Sequence, residues 1–394
     1  MISSLYCSHK ITALSSNSIE KDSNYLQNRL PILPGAYQIP EYLPLLINKR
    51  IALVANHTSL IENNHLLDTL LQLKIDVVKL FVPEHGLRGE VSAGATILDS
   101  KDEKTGIPIV SLYGKTKKPT SAQLQGIDII LFDLQDVGVR FFTYISTLHY
   151  IIESASENSK TLVVLDRPNP NGHYVDGPVL DTKYTSFVGM HPIPMVYGLT
   201  IGELGKMMIG EKWLKTDSSF QYKLIKCKNY NRSFQYHLPV KPSPNLPNMR
   251  AIWLYPGTCL FEGTDWSLGR GTNSPFQIFG HPALPNADTT FIPIELIGAK
   301  NPPHKDVLCK GYSCKNINVD SLFNSKLIPL SYILKAYHLR TDSFFLKNNF
   351  FDLLAGTDQL RNQIQLGWTE DQIRKNWQSD LEIFRKKSLK YQVY

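Results

Sequence analysis

Two apolar segments end in clusters of charged and polar residues, and this pattern restricts the possible folds more than any other feature of the chain. The first segment is Phe81–Glu90, and the second is Ile129–Arg140. Apolar runs that end in this way are typical of strands buried on both faces of a parallel sheet. In open α/β sheets, ligands bind beyond the carboxyl ends of such strands. Carboxylates grouped at that edge favour acid/base or glycosidic chemistry over phosphate binding.

The alternation of strand and helix patterns in the first half of the chain predicts an α/β fold. Continuous apolar runs indicate buried strands, and an apolar period of about 3.6 residues indicates helices between them. The predicted strands cover residues 50–56, 76–82, 108–112, 127–134 and 161–165, and the main predicted helices cover residues 66–73 and 141–155. Together they indicate a Rossmann-like parallel sheet covered by helices on both faces.

The second half of the chain has a different character. Residues 236–303 are rich in proline, glycine and aromatic side chains, and helical patterns return further on. A length of 394 residues is enough for two domains. We therefore predict a cleft between two domains and this division of the chain: a disordered or signal-remnant lead-in over 1–39, a Rossmann-like domain over 40–195, and an α+β C-terminal domain over 196–394.

Composition and motifs exclude several functional classes. The net charge is +7, but the lysines are scattered and form no footprint for nucleic acid. No run of 18 apolar residues predicts a membrane span, and the five cysteines form no disulfide framework or metal site. Gly114-Lys-Thr116 lacks the earlier glycine of a phosphate-binding loop, and Gly269-Arg-Gly271 lacks the third glycine of a dinucleotide fingerprint. We therefore expect no nucleotide cofactor.

Glu84 is the first candidate catalytic residue, because it follows Pro83 where a buried strand is predicted to end. Partial burial raises the pKa of a carboxyl group, and a carboxyl group with a raised pKa suits the role of general acid. The neighbouring His85 and Arg88 are candidates for substrate contact. The alternative is a structural role in which Glu84 pairs with Arg88 and fastens the loop.

A second set of candidates follows the strand predicted over residues 127–134. If the next segment is helical from Asp136, then Asp136, Arg140 and Tyr144 lie on one helix face. This arrangement makes Asp136 a candidate catalytic carboxylate and makes Gln135, Arg140 and Tyr144 candidates for substrate binding. The alternative is a structural pair of Asp136 and Arg140 at the start of the helix, where the helix dipole favours a carboxylate.

Two proline-rich loops present polar groups that suit a sugar. The first contains Asp166, Arg167 and Asn169, and prolines on both sides of Asn169 stiffen it. The second contains Asn245 between Pro244 and Leu246. Rigid loops hold hydrogen-bonding groups in place for a ligand, so these four polar side chains are candidates for substrate binding. Ordinary turns are the alternative explanation.

Glu203 and Glu262 are the remaining candidate carboxylates. Glu203 closes the capping box that begins at Thr200, and this local role explains it without any substrate. Glu262 lies in a glycine-rich segment with Trp266 and Arg270. An aromatic face stacks on a sugar ring, and the arginine fork matches a carboxylate through two hydrogen bonds. A tight structural loop is the alternative for this segment.

Six short motifs occur in order along the chain, and together they resemble one family. They are Pro83–Gly86, Asp133–Tyr144, Asp166–Pro170, Gly198–Glu203, Pro242–Pro247 and Glu262–Phe276. This set resembles the YbbC/NamZ-type family of exo-β-N-acetylmuramidases, from about residue 45 to the C-terminus. In one departure, this chain has Val196-Tyr197 where the family usually has Arg-His.

The resemblance implies a peptidoglycan-recycling glycoside hydrolase that releases N-acetylmuramic acid (MurNAc) from the non-reducing ends of cell-wall fragments. MurNAc linked to N-acetylglucosamine (GlcNAc) is the implied minimal substrate. The resemblance also implies a Rossmann-like domain with a C-terminal auxiliary domain, an active site in the cleft between them, no nucleotide cofactor, and export to the periplasm or the medium. A non-catalytic glycan-binding protein on the same scaffold is the alternative.

The resemblance makes Glu84 the expected catalytic acid and leaves the second carboxylate open between Asp136, Glu203 and Glu262. Retaining, inverting and substrate-assisted mechanisms are all compatible with the sequence. The lactyl carboxylate of MurNAc requires a cation, and the candidates are Arg88, Arg140, Arg167 and Arg270.

Overall fold

The computed structural model describes residues 30–83, 86–87, 100–114, 116–285 and 287–394. In chain order its strands are β1 (Arg50–Ala55), β2 (Leu60–Ile61), β3 (Asn64–His65), β4 (Asp76–Val82), β5 (Ser100–Lys101), β6 (Pro108–Ser111), β7 (Ile129–Asp133), β8 (Thr161–Leu165), β9 (Tyr222–Ile225), β10 (Ile278–His281), β11 (Thr289–Phe291) and β12 (Cys309–Ser313). Its α-helices are α1 (Ile39–Leu46), α2 (Leu66–Gln72), α3 (Tyr144–Glu157), α4 (Ile201–Gly210), α5 (Met249–Thr258), α6 (Val319–Ser325), α7 (Ser331–Leu339), α8 (Phe350–Ala355), α9 (Gln359–Gln365), α10 (Glu370–Asn376) and α11 (Gln378–Ser388). Short 3₁₀ helices cover Gly35–Tyr37, Thr182–Tyr184, Cys259–Gly263 and Leu389–Tyr391.

The first region is built on a seven-stranded sheet with the order β5-β6-β4-β1-β7-β8-β9. All neighbouring strands run parallel except β5, which pairs antiparallel with β6 at one edge. The predicted α/β class with a Rossmann-like parallel sheet is therefore confirmed. The carboxyl ends of β4, β1 and β7 lie next to one another, so the segments that follow these strands are close in space.

Both faces of this sheet are buried, which explains why its strands are apolar throughout. Along β1, Ile51 and Leu53 pack into one hydrophobic core, while Ala52 and Val54 pack into the other. Helix α2 covers the first face and α3 covers the second. A strand with side chains in two cores has no polar face, because successive residues point to opposite sides of the sheet.

The helix predicted from residue 141 begins only at Tyr144. The segment before it is irregular, and the backbone N–H of Arg140 donates to the carbonyl oxygen of Met195 instead of to a helical partner. The prediction that Asp136, Arg140 and Tyr144 share one helix face is therefore wrong. The predicted helix begins too early because Phe141 fits its apolar spacing. In the structure Phe141 precedes the helix, and its ring makes an edge-to-face contact with the ring of Tyr255 in the second region.

The first region also extends further along the chain than predicted. Strand β9 pairs parallel with β8 and forms one edge of the seven-stranded sheet. The boundary predicted at residue 195 therefore falls inside this layer. Strand β9 (Tyr222–Ile225) is an edge strand and only partly buried, so its sequence contains polar residues. A prediction based on apolar runs therefore misses it.

The second region combines a three-stranded antiparallel sheet, β10-β12-β11, with the helices from α5 onward. Its core is aromatic, and Trp266 lies at its centre with no exposed surface. The Trp266 ring centroid is 6.1 Å from that of Phe261 and 6.2 Å from those of Phe279 and Phe344. Among the helices of the described ranges, none is long and apolar enough to cross a membrane.

The buried side chain of Arg140 joins the two regions. Its Nη1 donates to the carbonyl oxygens of Pro178 at 2.8 Å and Ile193 at 2.7 Å, both in the first region. Its Nη2 donates to the carbonyl oxygens of Leu354 at 3.0 Å and Ala355 at 2.6 Å, at the end of α8. One guanidinium group with no exposed surface thus satisfies four buried acceptors.

Gly356 makes this junction possible. It follows α8 with φ of +75°, which favours glycine, and a Cβ at this position would collide with the Arg140 guanidinium group. The absence of a side chain therefore allows Arg140 to reach the carbonyl oxygens at the helix end.

Replacing Arg140 with methionine should strongly destabilise the protein, because four buried carbonyl oxygens would lose their donor. We expect the free energy of unfolding to fall by about 3–5 kcal/mol, as measured by urea denaturation. Arg385→Met is the matched control, because Arg385 is exposed and donates to one carbonyl oxygen, that of Val175. Equal losses in the two variants would contradict the role assigned to Arg140.

Candidate functional site

A cavity of about 760 Å³ lies between the two regions, beside the carboxyl ends of the central strands. From the first region, Tyr113 follows β6 and the segment 141–144 follows β7. The second region contributes α5, the adjacent 3₁₀ helix, the loop 298–302 and helix α8. The volume lies within the range that is common for small-ligand sites, roughly 300–1,000 Å³.

One wall of the cavity is a set of aromatic rings in edge-to-face contact. The ring centroid of Tyr255 is 5.2 Å from that of Phe141, 6.2 Å from that of Phe142 and 4.9 Å from that of Phe276. The rings of Phe142 and Tyr144 are 4.8 Å apart. Edge-to-face packing holds these rings in place, and their remaining surface gives the cavity an apolar wall.

Glu262 and Arg270 form an ion pair in the wall of the cavity. Arg270 donates to Oε1 of Glu262 from both Nε, at 3.1 Å, and Nη2, at 2.5 Å. The Arg270 guanidinium group also lies over the ring of Phe276, 5.3 Å from its centroid. Glu262 raises the pKa of Arg270. Among the described residues that line the cavity, Glu262 is the only carboxylate, and only one of its oxygens is held by Arg270.

Tyr144 connects the cavity to the end of β1. Its hydroxyl oxygen accepts a hydrogen bond of 2.7 Å from Nδ2 of Asn56, which is fully buried. The orientation of the Asn56 amide is determined, because its Oδ1 accepts from the backbone N–H of Thr58, which can only donate. Tyr144 is thus an acceptor toward Asn56 and can donate its own proton to a further partner.

Of the predicted site residues that the structure describes, four line the cavity: Tyr144, Asn245, Glu262 and Arg270. Asn245 is buried, and its Nδ2 donates to the carbonyl oxygen of Gly298 at 2.8 Å. Part of its function is therefore to hold the loop 298–302 against the cavity.

The candidate Arg167 is not a substrate-binding residue. Its Nε and Nη2 contact the two carboxylate oxygens of Asp133 at 2.5 and 2.8 Å, and its Nη2 also donates to the carbonyl oxygen of Leu60. Both Arg167 and Asp133 are buried. Because the guanidinium group is occupied inside the protein, the prediction of a sugar contact is wrong.

Asp166 and Glu203 are also structural. Oδ1 of Asp166 accepts from the backbone of Gly202, and its Oδ2 accepts from Thr200 and Tyr394. Burial, together with the charge of Glu203, raises the pKa of Asp166 to about 7. Glu203 closes the predicted capping box with Thr200, pairs with Arg232 at 2.9 Å and has no exposed surface. Neither carboxylate can reach a ligand.

The amide side chains of Gln135 and Asn169 hold the loops in which they lie. Nε2 of Gln135 donates to the carbonyl oxygens of Asp136 and Pro168, each at 2.8 Å, and Nδ2 of Asn169 donates to that of Leu199 at 2.7 Å. Both side chains are buried away from the cavity. Their predicted contacts with substrate are therefore wrong.

The predicted substrate contacts of Arg140 and Trp266 are also wrong. The guanidinium group of Arg140 is occupied by four carbonyl oxygens, and the ring of Trp266 lies in the core of the second region. Neither side chain has surface with which to touch a sugar. The structural role suggested as the alternative for the segment of Trp266 is correct. The alternative pair of Asp136 and Arg140 at a helix start is wrong, because Arg140 binds carbonyl oxygens and the helix begins only at Tyr144.

Asp136 is a buried carboxyl group beside the cavity rather than in it. Its Oδ2 accepts from the backbone N–H of Gly138 at 2.6 Å and from the hydroxyl of Tyr197, the residue at the family's Arg-His position. Burial raises the pKa of Asp136 to about 7, although both hydrogen bonds oppose this shift. Its role in catalysis is contradicted, because it has no access to the cavity.

The candidates Glu84, His85 and Arg88 lie outside the described residues. Within the part of the chain that the structure describes, no three histidine, cysteine or acidic side chains are grouped as metal ligands.

The sequence prediction missed most of the aromatic wall and Lys300. The string Phe141–Tyr144 held a usable signal, because three aromatic residues directly follow the polar end of a strand.

The structure defines a two-domain α/β protein with a carboxylate in an aromatic cavity between the domains. Comparison with known families identifies it further. The N-terminal domain of the exo-β-N-acetylmuramidase NamZ family matches residues 51–250, and the C-terminal domain of that family matches residues 253–394. The chain belongs to the NamZ family.

Individual relatives agree with this assignment. The chain is 39% identical over 377 residues to the peptidoglycan β-N-acetylmuramidase NamZ of Bacillus subtilis (strain 168), with 90% of this chain and 89% of that protein covered. Two crystal structures of DUF1343 family proteins from Bacteroides fragilis NCTC 9343 share the fold. One has 46% identity and a TM-score of 0.85, covering 93% of this chain and 99% of the other. The second has 30% identity and a TM-score of 0.78, covering 93% and 100%.

The raised pKa of Asp136 predicts a pH dependence of stability. In the unfolded chain an aspartate ionises near pH ~4, whereas folded Asp136 keeps its proton to about pH 7. The stabilisation is complete below the unfolded pKa and is lost as the pH rises through the folded value. Asp136→Asn should therefore reduce the loss of unfolding free energy between pH 5 and pH 8, measured by urea denaturation.

Asp342→Asn is the control for this experiment, because Asp342 is exposed. We expect this variant to keep the wild-type pH dependence. A wild-type pH dependence in Asp136→Asn as well would show that Asp136 does not titrate in this window.

Proposed function

We propose that this chain is an exo-acting glycosidase that releases MurNAc from the non-reducing ends of peptidoglycan fragments, with MurNAc-GlcNAc as the minimal substrate. Family membership over both domains and the named activity of the Bacillus subtilis relative support this function. The structural observation that carries it is the aromatic cavity with Glu262, held at one oxygen by Arg270.

The geometry favours Glu262 as the second carboxylate of the reaction. Most glycosidases use two carboxyl groups and an oxocarbenium-like transition state. Asp136 and Glu203 are buried and hydrogen-bonded, so Glu262 is the member of the predicted set that faces the cavity. Its carboxylate would stabilise positive charge on the sugar ring, and the contact of Arg270 with Oε1 would fix its orientation.

Glu84 is the proposed general acid on the basis of its motif and its place in the sequence. The residue before it, Pro83, follows β4, which pairs with β1 on one side and β6 on the other. The segments after these two neighbours supply Asn56, the partner of Tyr144, and Tyr113 to the cavity region. A carboxyl group delivered from the end of β4 would protonate the leaving oxygen.

The activity is tested directly by incubating the protein with MurNAc-GlcNAc and analysing the products by mass spectrometry. We expect free MurNAc and GlcNAc in equal amounts. Binding of the disaccharide without product would support the glycan-binding alternative and overturn the proposed activity. We also propose that the protein acts outside the cytoplasm, where peptidoglycan lies, and cell fractionation tests this location.

Two substrates separate the roles of the two glutamates. Glu84→Gln should lower the rate on MurNAc-GlcNAc by about 10²–10⁴-fold, because the leaving sugar needs a proton. It should have a much smaller effect on para-nitrophenyl muramide, whose leaving group is stable as an anion. Glu262→Gln should lower the rates on both substrates by at least roughly 10²-fold, because both need charge stabilisation at the ring.

Glu295→Gln is the matched control, because Glu295 lies in the same region of the protein and its surface ion pair with Lys305 is outside the cavity. We expect wild-type rates on both substrates. Normal turnover of MurNAc-GlcNAc by Glu84→Gln would remove Glu84 from the mechanism, and normal rates of Glu262→Gln on both substrates would remove Glu262.

A further inference from the structure

The proposed substrate carries a charge that the cavity must recognise. MurNAc differs from GlcNAc by a lactyl ether at O3, which ends in a carboxylate. An enzyme that selects MurNAc over GlcNAc therefore needs a cation at the place where this carboxylate lies. The identity of that cation decides which sugar the site accepts.

Three of the four arginines suggested by the sequence are described by the structure, and each of these three is engaged elsewhere or already paired. The fourth, Arg88, lies outside the described residues. Arg140 and Arg167 are buried and occupied by four carbonyl oxygens and by Asp133, respectively. Arg270 lines the cavity, but Glu262 accepts from both its Nε and its Nη2. The positive charge of Arg270 is thus balanced by a neighbouring carboxylate.

Within the described part of the cavity wall, Lys300 is the other cation. It is exposed, and no salt bridge joins it to an acidic side chain within the described ranges. However, the pKa of Glu295 is lowered mainly by its hydrogen bond with Lys305, and the charge of Lys300 contributes to lowering it. The charged side chains that line the described part of the cavity are Glu262, Arg270 and Lys300. Within this described lining, the two cations exceed the single carboxylate by one positive charge, which suits a sugar that carries a carboxylate.

The backbone that carries Lys300 is held rigidly. Asn245 donates to the carbonyl oxygen of Gly298, and the backbones of Leu296 and Ala299 exchange hydrogen bonds of 3.2 and 2.9 Å. Gly298 has φ of +94°, and a Cβ at this position would lie 2.7 Å from Cβ of Pro244. The loop therefore packs against the proline-rich motif, which presents Lys300 to the cavity from a constant position.

We propose that Lys300 determines specificity by binding the lactyl carboxylate of MurNAc. This inference rests on the proposed function, since it names the group that the same site recognises. The motif Pro242–Pro247 then has an indirect role, because its Asn245 holds the loop that carries Lys300. The lysine stem supplies the reach, and its ammonium group supplies the charge.

Binding of the two monosaccharides tests the proposal without requiring turnover. Titration calorimetry should show that Lys300→Met weakens MurNAc binding by about tenfold and changes GlcNAc binding by less than about twofold. Lys300→Arg should keep most of the preference for MurNAc, and Lys300→Glu should abolish it. In the wild type, added salt should reduce the preference, because the lysine is exposed.

Lys305→Met is the matched control, because Lys305 follows the same loop, pairs with Glu295 and does not line the cavity. We expect it to keep the wild-type preference. An equal loss in Lys305→Met, or an equal weakening of MurNAc and GlcNAc by Lys300→Met, would overturn the proposal. Thermal melting of each variant shows whether the fold is intact.

The outcomes separate this inference from the proposed function. If the wild type releases MurNAc from MurNAc-GlcNAc and Lys300→Met keeps the preference for MurNAc, the role of Lys300 is refuted and the activity stands. If the wild type releases no MurNAc but Lys300→Met loses the preference, the activity is refuted and the recognition of the carboxylate stands. Wild-type binding without any preference for MurNAc refutes the role of Lys300.

Discussion

The arrangement of this molecule depends on the four hydrogen bonds of Arg140. They join carbonyl oxygens of the sheet region to carbonyl oxygens at the end of α8. The residues directly after Arg140, Phe141 to Tyr144, form one wall of the cavity, and Leu354, one of its acceptors, lines the other. Both walls are therefore positioned by a single side chain. Lysine could not replace it, because only the planar guanidinium fork directs enough donors to four acceptors at once.

The carboxyl edge of the sheet is also held together by buried polar contacts. Asp133 with Arg167, and Asp166 with Thr200 and Tyr394, are buried groups with nearly complete sets of partners. Buried charges are tolerated when pairing and hydrogen bonds offset their desolvation. These residues form a rigid platform, and the groups suited to chemistry stand at its margin. A cluster of charged residues at the strand ends therefore indicates this buried platform as well as the active site.

Local patterns were sufficient for part of this structure. Strand β4 and the capping box of Glu203 agree with their predictions, because an apolar run and a Thr-to-Glu spacing act within a few residues. The start of α3 was predicted too early, since the apolar spacing of the helix continues into Phe141. Lys300 was missed altogether, because nothing in its neighbourhood distinguishes it from the other lysines.

The fold class and the family follow from the amino-acid sequence alone, because strand periodicity and the order of short motifs are properties of residues close together in the chain. The sequence also supplied the list of carboxylates and arginines. Which of the described ones are buried and which face the cavity follows from the folded structure and from no local pattern. Arg140 forms a hydrogen bond with Leu354, which is 214 positions away in the sequence, and Asn245 forms one with Gly298, which is 53 positions away. Burial depends on such distant contacts, and no local pattern contains them.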